Sequence, residues 1–155
     1  MIGAYGQDDR VCAYTALMAE IDAVMPQYTT VTVLADKEEI GSDGNTGLNS
    51  DFVLHFIEDL AEMADVPART ILRNSMCLSS DVNAAYDPTF SQVYEERNAC
   101  FLNKGCVLTK YTGVRGKGGS NDASAELMAK VIALMEEEGV YWQIGELGAV
   151  CLLYT

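Results

Sequence analysis

Residues 29–34, Thr-Thr-Val-Thr-Val-Leu, form a β-branched, apolar run that stops just short of an acidic corner, Asp36-Lys37-Glu38-Glu39-Ile40-Gly41-Ser42. A run of this kind with period-2 character predicts a buried strand. The two glutamates then sit at or just beyond its C-terminal end, where open α/β sheets carry their chemistry. Neighbouring carboxylates point different ways, so one can hold a metal while the other takes a proton from water at that metal. An isolated Glu-Glu pair is more often an acidic corner facing solvent. The weight therefore rests on what accompanies it.

Upstream of the run, Val11, Tyr14, Leu17, Met18, Ile21 and Val24 follow helical spacing until Pro26, which predicts an amphipathic helix over 10–25 with Asp8 and Asp9 at its start. Acidic residues there are commonly caps or dipole partners. Downstream, Asn49 or Ser50 can cap a second helix to about residue 65, with Phe52, Val53, Phe56, Ile57, Leu60 and Met63 on one face. Pro67 opens a short helical turn through Leu72. Residues 76–81 read as an inner strand ending in Asp81, a second carboxylate at a strand end. A loop with a short helix is expected over 82–98, broken at Pro88, then a strand over 105–111. Glycines 113, 116, 118 and 119 with Arg115 and Lys117 make a basic loop, leading into a helix capped near Ser120, Asn121 or Asp122 with Leu127, Val131 and Leu134 as its core stripe. Gly139 ends that helix, and residues 140–144 form a last strand. Strands alternating with helices predict an α/β domain of three layers, α/β/α, with a mixed, mostly parallel sheet.

At 155 residues and 49% hydrophobic content the chain has the size of one domain and enough apolar material for a core. Ten basic against 23 acidic residues leave a net charge of −13. That balance argues against binding nucleic acid or an anionic membrane, and divalent cations are its natural counterpart. No 18-residue apolar run and no basic flank before an apolar segment are present, so neither a signal peptide nor a membrane span is expected. Five cysteines, an odd number without a C-x-x-C pair, read as small buried residues of a reducing compartment, and the expected setting is the cytoplasm. The single histidine, His55, falls inside an apolar helical stretch and reads as a helix residue.

Other motifs fail on spacing. Lys117 is followed by Gly118 and not by Ser or Thr, so the glycine-rich loop is not a P-loop. The loop beginning at Asp43 has its glycine at the wrong place and no glutamate at the twelfth position for calcium. What remains is Asp9, Glu38, Glu39 and Asp81, all expected on one rim of one sheet. Carboxylates gathered in one cleft repel unless a dication neutralises them. Two ions about 3.5 to 4 Å apart, bridged by one carboxylate, can activate water and polarise a peptide carbonyl.

Asp36-x-Glu38-Glu39-Ile40-Gly41-Ser42, Ser79-Ser80-Asp81 and the stretch Gly119-Ser120-Asn121-Asp122-Ala123-Ser124-Ala125-Glu126 together resemble the aspartyl aminopeptidases, dizinc exopeptidases. The resemblance extends to Gly148. It implies a zinc-exopeptidase fold, peptide substrates, two zinc ions and a homo-oligomeric full-length protein. By that resemblance Asp9 is the metal-bridging aspartate, Glu38 the general base, Glu39 a ligand of one zinc and Asp81 of the other. Lys110, with Arg115 or Lys117 as alternatives, would meet an acidic amino-terminal residue, and Ser120 and Asn121 are further substrate contacts. The chain departs from the family in two respects. Each zinc there also takes a histidine from segments with no counterpart here, and Asn83-Ala84-Ala85-Tyr86-Asp87-Pro88 stands where a histidine-containing stretch is expected. Residues 1–155 are thus expected to be a single partial catalytic domain, truncated at both ends and without the dimerisation domain. Weak metal binding and little peptidase activity follow, and cobalt or manganese could replace zinc in so oxygen-rich a set. A non-enzymatic α/β assembly module is the alternative, and a phosphate-binding protein using the 113–122 loop a third reading.

Overall fold

The computed structural model describes residues 3–114 and 118–146. They divide at Val82/Asn83 into two compact units. In the first, helix α1 (Gln7–Asp22) is followed by a 3-10 turn at Glu38–Ile40, then α2 (Phe52–Met63) and α3 (Ala68–Asn74). The second holds a 3-10 turn at Pro88–Val93, the strands β1 (Cys106–Leu108), β2 (Tyr111–Val114) and β3 (Gly118–Asp122), helix α4 (Ala125–Glu137) and strand β4 (Trp142–Ile144).

Helices form where the 3.6-residue spacing predicts them, with ends set by local chemistry. Helix α4 starts later than expected, because its cap is Ser124, whose hydroxyl accepts from the Leu127 N–H at 3.2 Å. Ser120, Asn121 and Asp122 belong instead to β3, the returning arm of an antiparallel hairpin with Tyr111 opposite Asp122 and Thr112 opposite Asn121. Residues 115–117, at its tip, lie outside the described residues.

The sheet is smaller than the alternation suggests. β1 and β4 pair in parallel, Cys106 with Trp142 through Leu108 with Ile144. That pair keeps the parallel α/β character of the second unit. Residues 29–34 and 76–81, expected as inner strands, make no strand ladder among the described residues. Residues 29–34 are tied to α1 instead: Thr30 and Thr32 donate their hydroxyls to the two Glu20 carboxylate oxygens at 2.5 and 3.1 Å.

Without a broad sheet to pack against, the predicted helix stripes are only partly covered. Val53, Ile57 and Leu60 of α2 are half-buried while Phe52 and Phe56 stay exposed, and Tyr14 and Ile21 of α1 are exposed as well. Among the described residues the buried apolar side chains are Ala61, Ala99 and Cys100. No described helix is long and apolar enough to cross a membrane.

Candidate active site

Three pieces of the first unit bring the acidic residues together. Gly6 turns the chain into α1 in the left-handed region (φ 65°), and Asp8 and Asp9 both depart from helical dihedrals, with a cis peptide between them. The helix becomes regular at Arg10. Asp8 and Asp9 thus belong to an irregular entry segment of α1 and not to a regular first turn.

Glu38 and Glu39 are carried by a loop held closed from both sides. Asp36 accepts from the Lys37 N–H and the Thr46 hydroxyl, both at 2.9 Å. Ser42 N–H donates to the Lys37 carbonyl at 2.8 Å, and Asn49 returns its backbone N–H to Ser42 and its side-chain amide to Gly41 and Asp43. Gly47 is buried against this turn; a Cβ there would stand 2.0 Å from the Ser42 carbonyl oxygen, so only glycine fits. The glutamates consequently sit on a braced 3-10 turn, where the sequence predicts a strand end.

Asp81 enters from the end of residues 76–81, its carboxylate accepting the Val82 N–H at 2.7 Å. Burial, then the neighbouring Asp9 side chain, push the thiol pKa of Cys12 on α1 up, with Ser80 acting in the opposite sense. Glu38 holds its proton more tightly than the 4.5 of a free glutamate: loss of hydration is the first cause, followed by the negative charges of Asp81, Glu39, Asp8 and Asp9 in decreasing order. These five carboxylates share one electrostatic neighbourhood, yet among the described residues no three His, Cys, Asp or Glu side chains close around a single point as an ion's ligands. The donor set suits a dication in chemistry, being all hard oxygen and mutually repelling. His55 is exposed on α2.

The remaining candidates lie in the second unit. Lys110 directly precedes β2 and forms an ion pair with Asp122, which raises the lysine pKa before any other cause. Its ammonium is 3.4 Å from the Tyr111 hydroxyl and 4.4 Å from the Tyr111 ring centroid. Ser120 and Asn121 are in β3, with Asn121 exposed. Arg115 and Lys117 fall outside the described residues.

Residues 1–150 match the family described as aminopeptidase I zinc metalloprotease (M18). The chain belongs to the M18 peptidases. A probable M18 family aminopeptidase 1 of Clostridium acetobutylicum is 45% identical over 154 residues, covering 97% of this chain and 33% of that protein. Its namesake in Thermotoga maritima is 44% identical over 155 residues, with 97% and 34% covered. The Thermotoga maritima M18 crystal structure superposes with a TM-score of 0.83 at 44% identity over 95% of this chain and 34% of that one. A Saccharomyces cerevisiae relative described as a dodecamer gives 0.66 at 27% identity over 97% and 37%. The chain spans about a third of the length of the curated relatives it matches.

Two residues of this M18 chain escape the sequence reading. Asp8 acts on Glu38 ahead of Asp9, and Cys12 responds to both Asp9 and Ser80. For Asp8 the signal was the Asp-Asp pair itself, read only as a helix cap.

Proposed function

We propose that these residues contribute the carboxylate half of a zinc aminopeptidase centre that removes one residue at a time from the amino end of peptides, acidic residues included. What supports this is the M18 match over residues 1–150, together with the raised proton affinity of Glu38, to which the charges of Asp81, Glu39, Asp8 and Asp9 contribute after burial. Asp9 would bridge two ions, with Glu39 held to one and Asp81 to the other, and Asp8 is a rival for the bridging place. Bound zinc supplies Lewis acidity toward the first peptide carbonyl and lowers the pKa of water. The chain's own residues do the rest. Glu38, whose carboxylate oxygen has a raised proton affinity, accepts the proton of the attacking water and passes it to the leaving amine. By the family resemblance, Lys110, Ser120 and Asn121 would contact the substrate's first residue.

Family membership also supports a completed three-layer α/β/α fold with a mixed, mostly parallel sheet, and the dodecameric yeast relative supports a homo-oligomer. Thiols Cys12, Cys77, Cys100 and Cys106 are all free, which accords with a reducing, cytoplasmic setting.

From residues 1–155 each ion would draw only two carboxylate ligands, Asp9 with Asp81 and Asp9 with Glu39, where catalytic zinc sites usually take three protein ligands. We therefore expect weak zinc binding and little turnover from these residues alone. The test compares aminopeptidase turnover, with added zinc, of the 155-residue chain and of a polypeptide that restores the two histidine segments. Activity confined to the longer form is expected. High turnover from the short chain would overturn the ligand count, and none from either would overturn the peptidase reading.

A further inference from the structure

Lys110 is the cation nominated to meet the substrate's first side chain, and it is already engaged. Its ammonium is in contact with the Asp122 carboxylate and close to the Tyr111 hydroxyl. The arrangement is set by backbone and not by a chance meeting of long side chains: Tyr111 pairs with Asp122 across the β2–β3 hairpin, and the Ala123 N–H donates to the Lys110 carbonyl at 3.0 Å. Glu146, half-buried just beyond β4, also feels the charge of Lys110. Among the described residues, Asp122 is the carboxylate paired with that ammonium.

We infer that Asp122 is a specificity-determining residue that cancels the charge of Lys110, so that this protein does not select an acidic amino-terminal residue over its neutral amide isostere. The inference rests on the reading of Lys110 as the residue facing the substrate's first side chain. An ammonium has three N–H donors. One is given to Asp122 and one is directed at the Tyr111 oxygen, which leaves a single donor. That donor suits one neutral acceptor, such as the side-chain carbonyl of asparagine or glutamine or the hydroxyl of serine. A carboxylate taking that donor would lie beside Asp122 as a like charge. Discrimination by unpaired or opposed charges is how a site rejects a ligand that would otherwise fit.

The test uses the whole 155-residue chain and needs no metal or turnover. Amide resonances of Lys110, Tyr111 and Asp122 are followed by NMR while aspartic acid α-amide and asparagine amide are titrated separately. The unsubstituted chain should bind the two with affinities within threefold of each other. Asp122→Asn should bind the aspartic ligand at least tenfold tighter than before, with the asparagine ligand changed less than threefold. Asp122→Ser provides the same readout should the Asn variant lose its dispersed spectrum. A tenfold preference for the aspartic ligand in the unsubstituted chain, or no gain in either variant, overturns the inference while leaving the peptidase reading intact. If neither ligand shifts Lys110 in any form, Lys110 is not the contact, and the subsite part of that reading falls together with the inference.

Discussion

Glu38 and Glu146 both hold their protons more tightly than free glutamate, and in both the leading cause is lost hydration. Only Glu38 does so within the field of four other carboxylates. A dication entering that field would reverse its sign, so the roles of the adjacent glutamates separate by experiment. In the longer, histidine-restored form, Glu38→Gln is expected to lower kcat by about 10²–10⁴-fold with calorimetric zinc binding retained. Glu39→Gln should lose zinc binding along with activity. Glu146 lends itself to a stability test, since its neighbours are Lys110 and two backbone N–H groups that partly offset burial. Its folded pKa lies above the unfolded value, so its favourable contribution is complete below about pH 4.5 and is lost as pH rises through the folded pKa. Glu146→Gln should therefore leave stability near pH 4 little changed and raise it at pH 7. The single tryptophan, Trp142 in the adjoining β4, reports that difference through urea midpoints at the two pH values.

The β1–β4 pair and the α4 helix between them form the most regular part of the second unit, and two substitutions separate backbone fit from capping. Gly105 sits at φ 102°, and a Cβ there would come within 2.2 Å of the Tyr141 carbonyl oxygen, the group one residue before β4. Both the left-handed dihedral and the contact forbid alanine, and the Cys106 N–H to Tyr141 carbonyl bond that begins the pairing would be lost. Ser124→Ala removes one cap hydrogen bond and should cost about 1 kcal/mol. Gly105→Ala should cost several times more. Hydrogen exchange resolves the two, because Ser124→Ala should loosen the first turn of α4 and Gly105→Ala the β1 amides.

For the whole chain, the decisive imbalance is between 49% hydrophobic residues and a described core of Ala61, Ala99 and Cys100. Large apolar side chains such as Tyr14, Ile21, Phe52 and Met63 are more than 60% exposed. Burial of such groups is the main driving force for cooperative folding, and most of theirs is not realised in these 155 residues. The isolated chain is expected to bind ANS at its uncovered helix faces and to show a urea transition shallower than its length predicts. A steep transition without ANS binding would contradict the small core.

Helix positions, the acidic corner at Glu38 and Glu39, and the family itself were legible in the sequence, because helical periodicity and short motifs are local and carry their signal in adjacent residues. The start of α4 was misread by a few residues, since Ser120, Asn121, Asp122 and Ser124 are all competent caps and only the hairpin pairing of β3 excludes the first three. Strand-like composition at 29–34 and 76–81 could not establish a sheet, because a strand exists only through hydrogen bonds to a partner distant in sequence. Likewise, spacing alone could not reveal that Asp8 acts on Glu38 ahead of Asp9, or that Asp122 already occupies Lys110. Those are matters of distance between side chains, and only the folded backbone sets them.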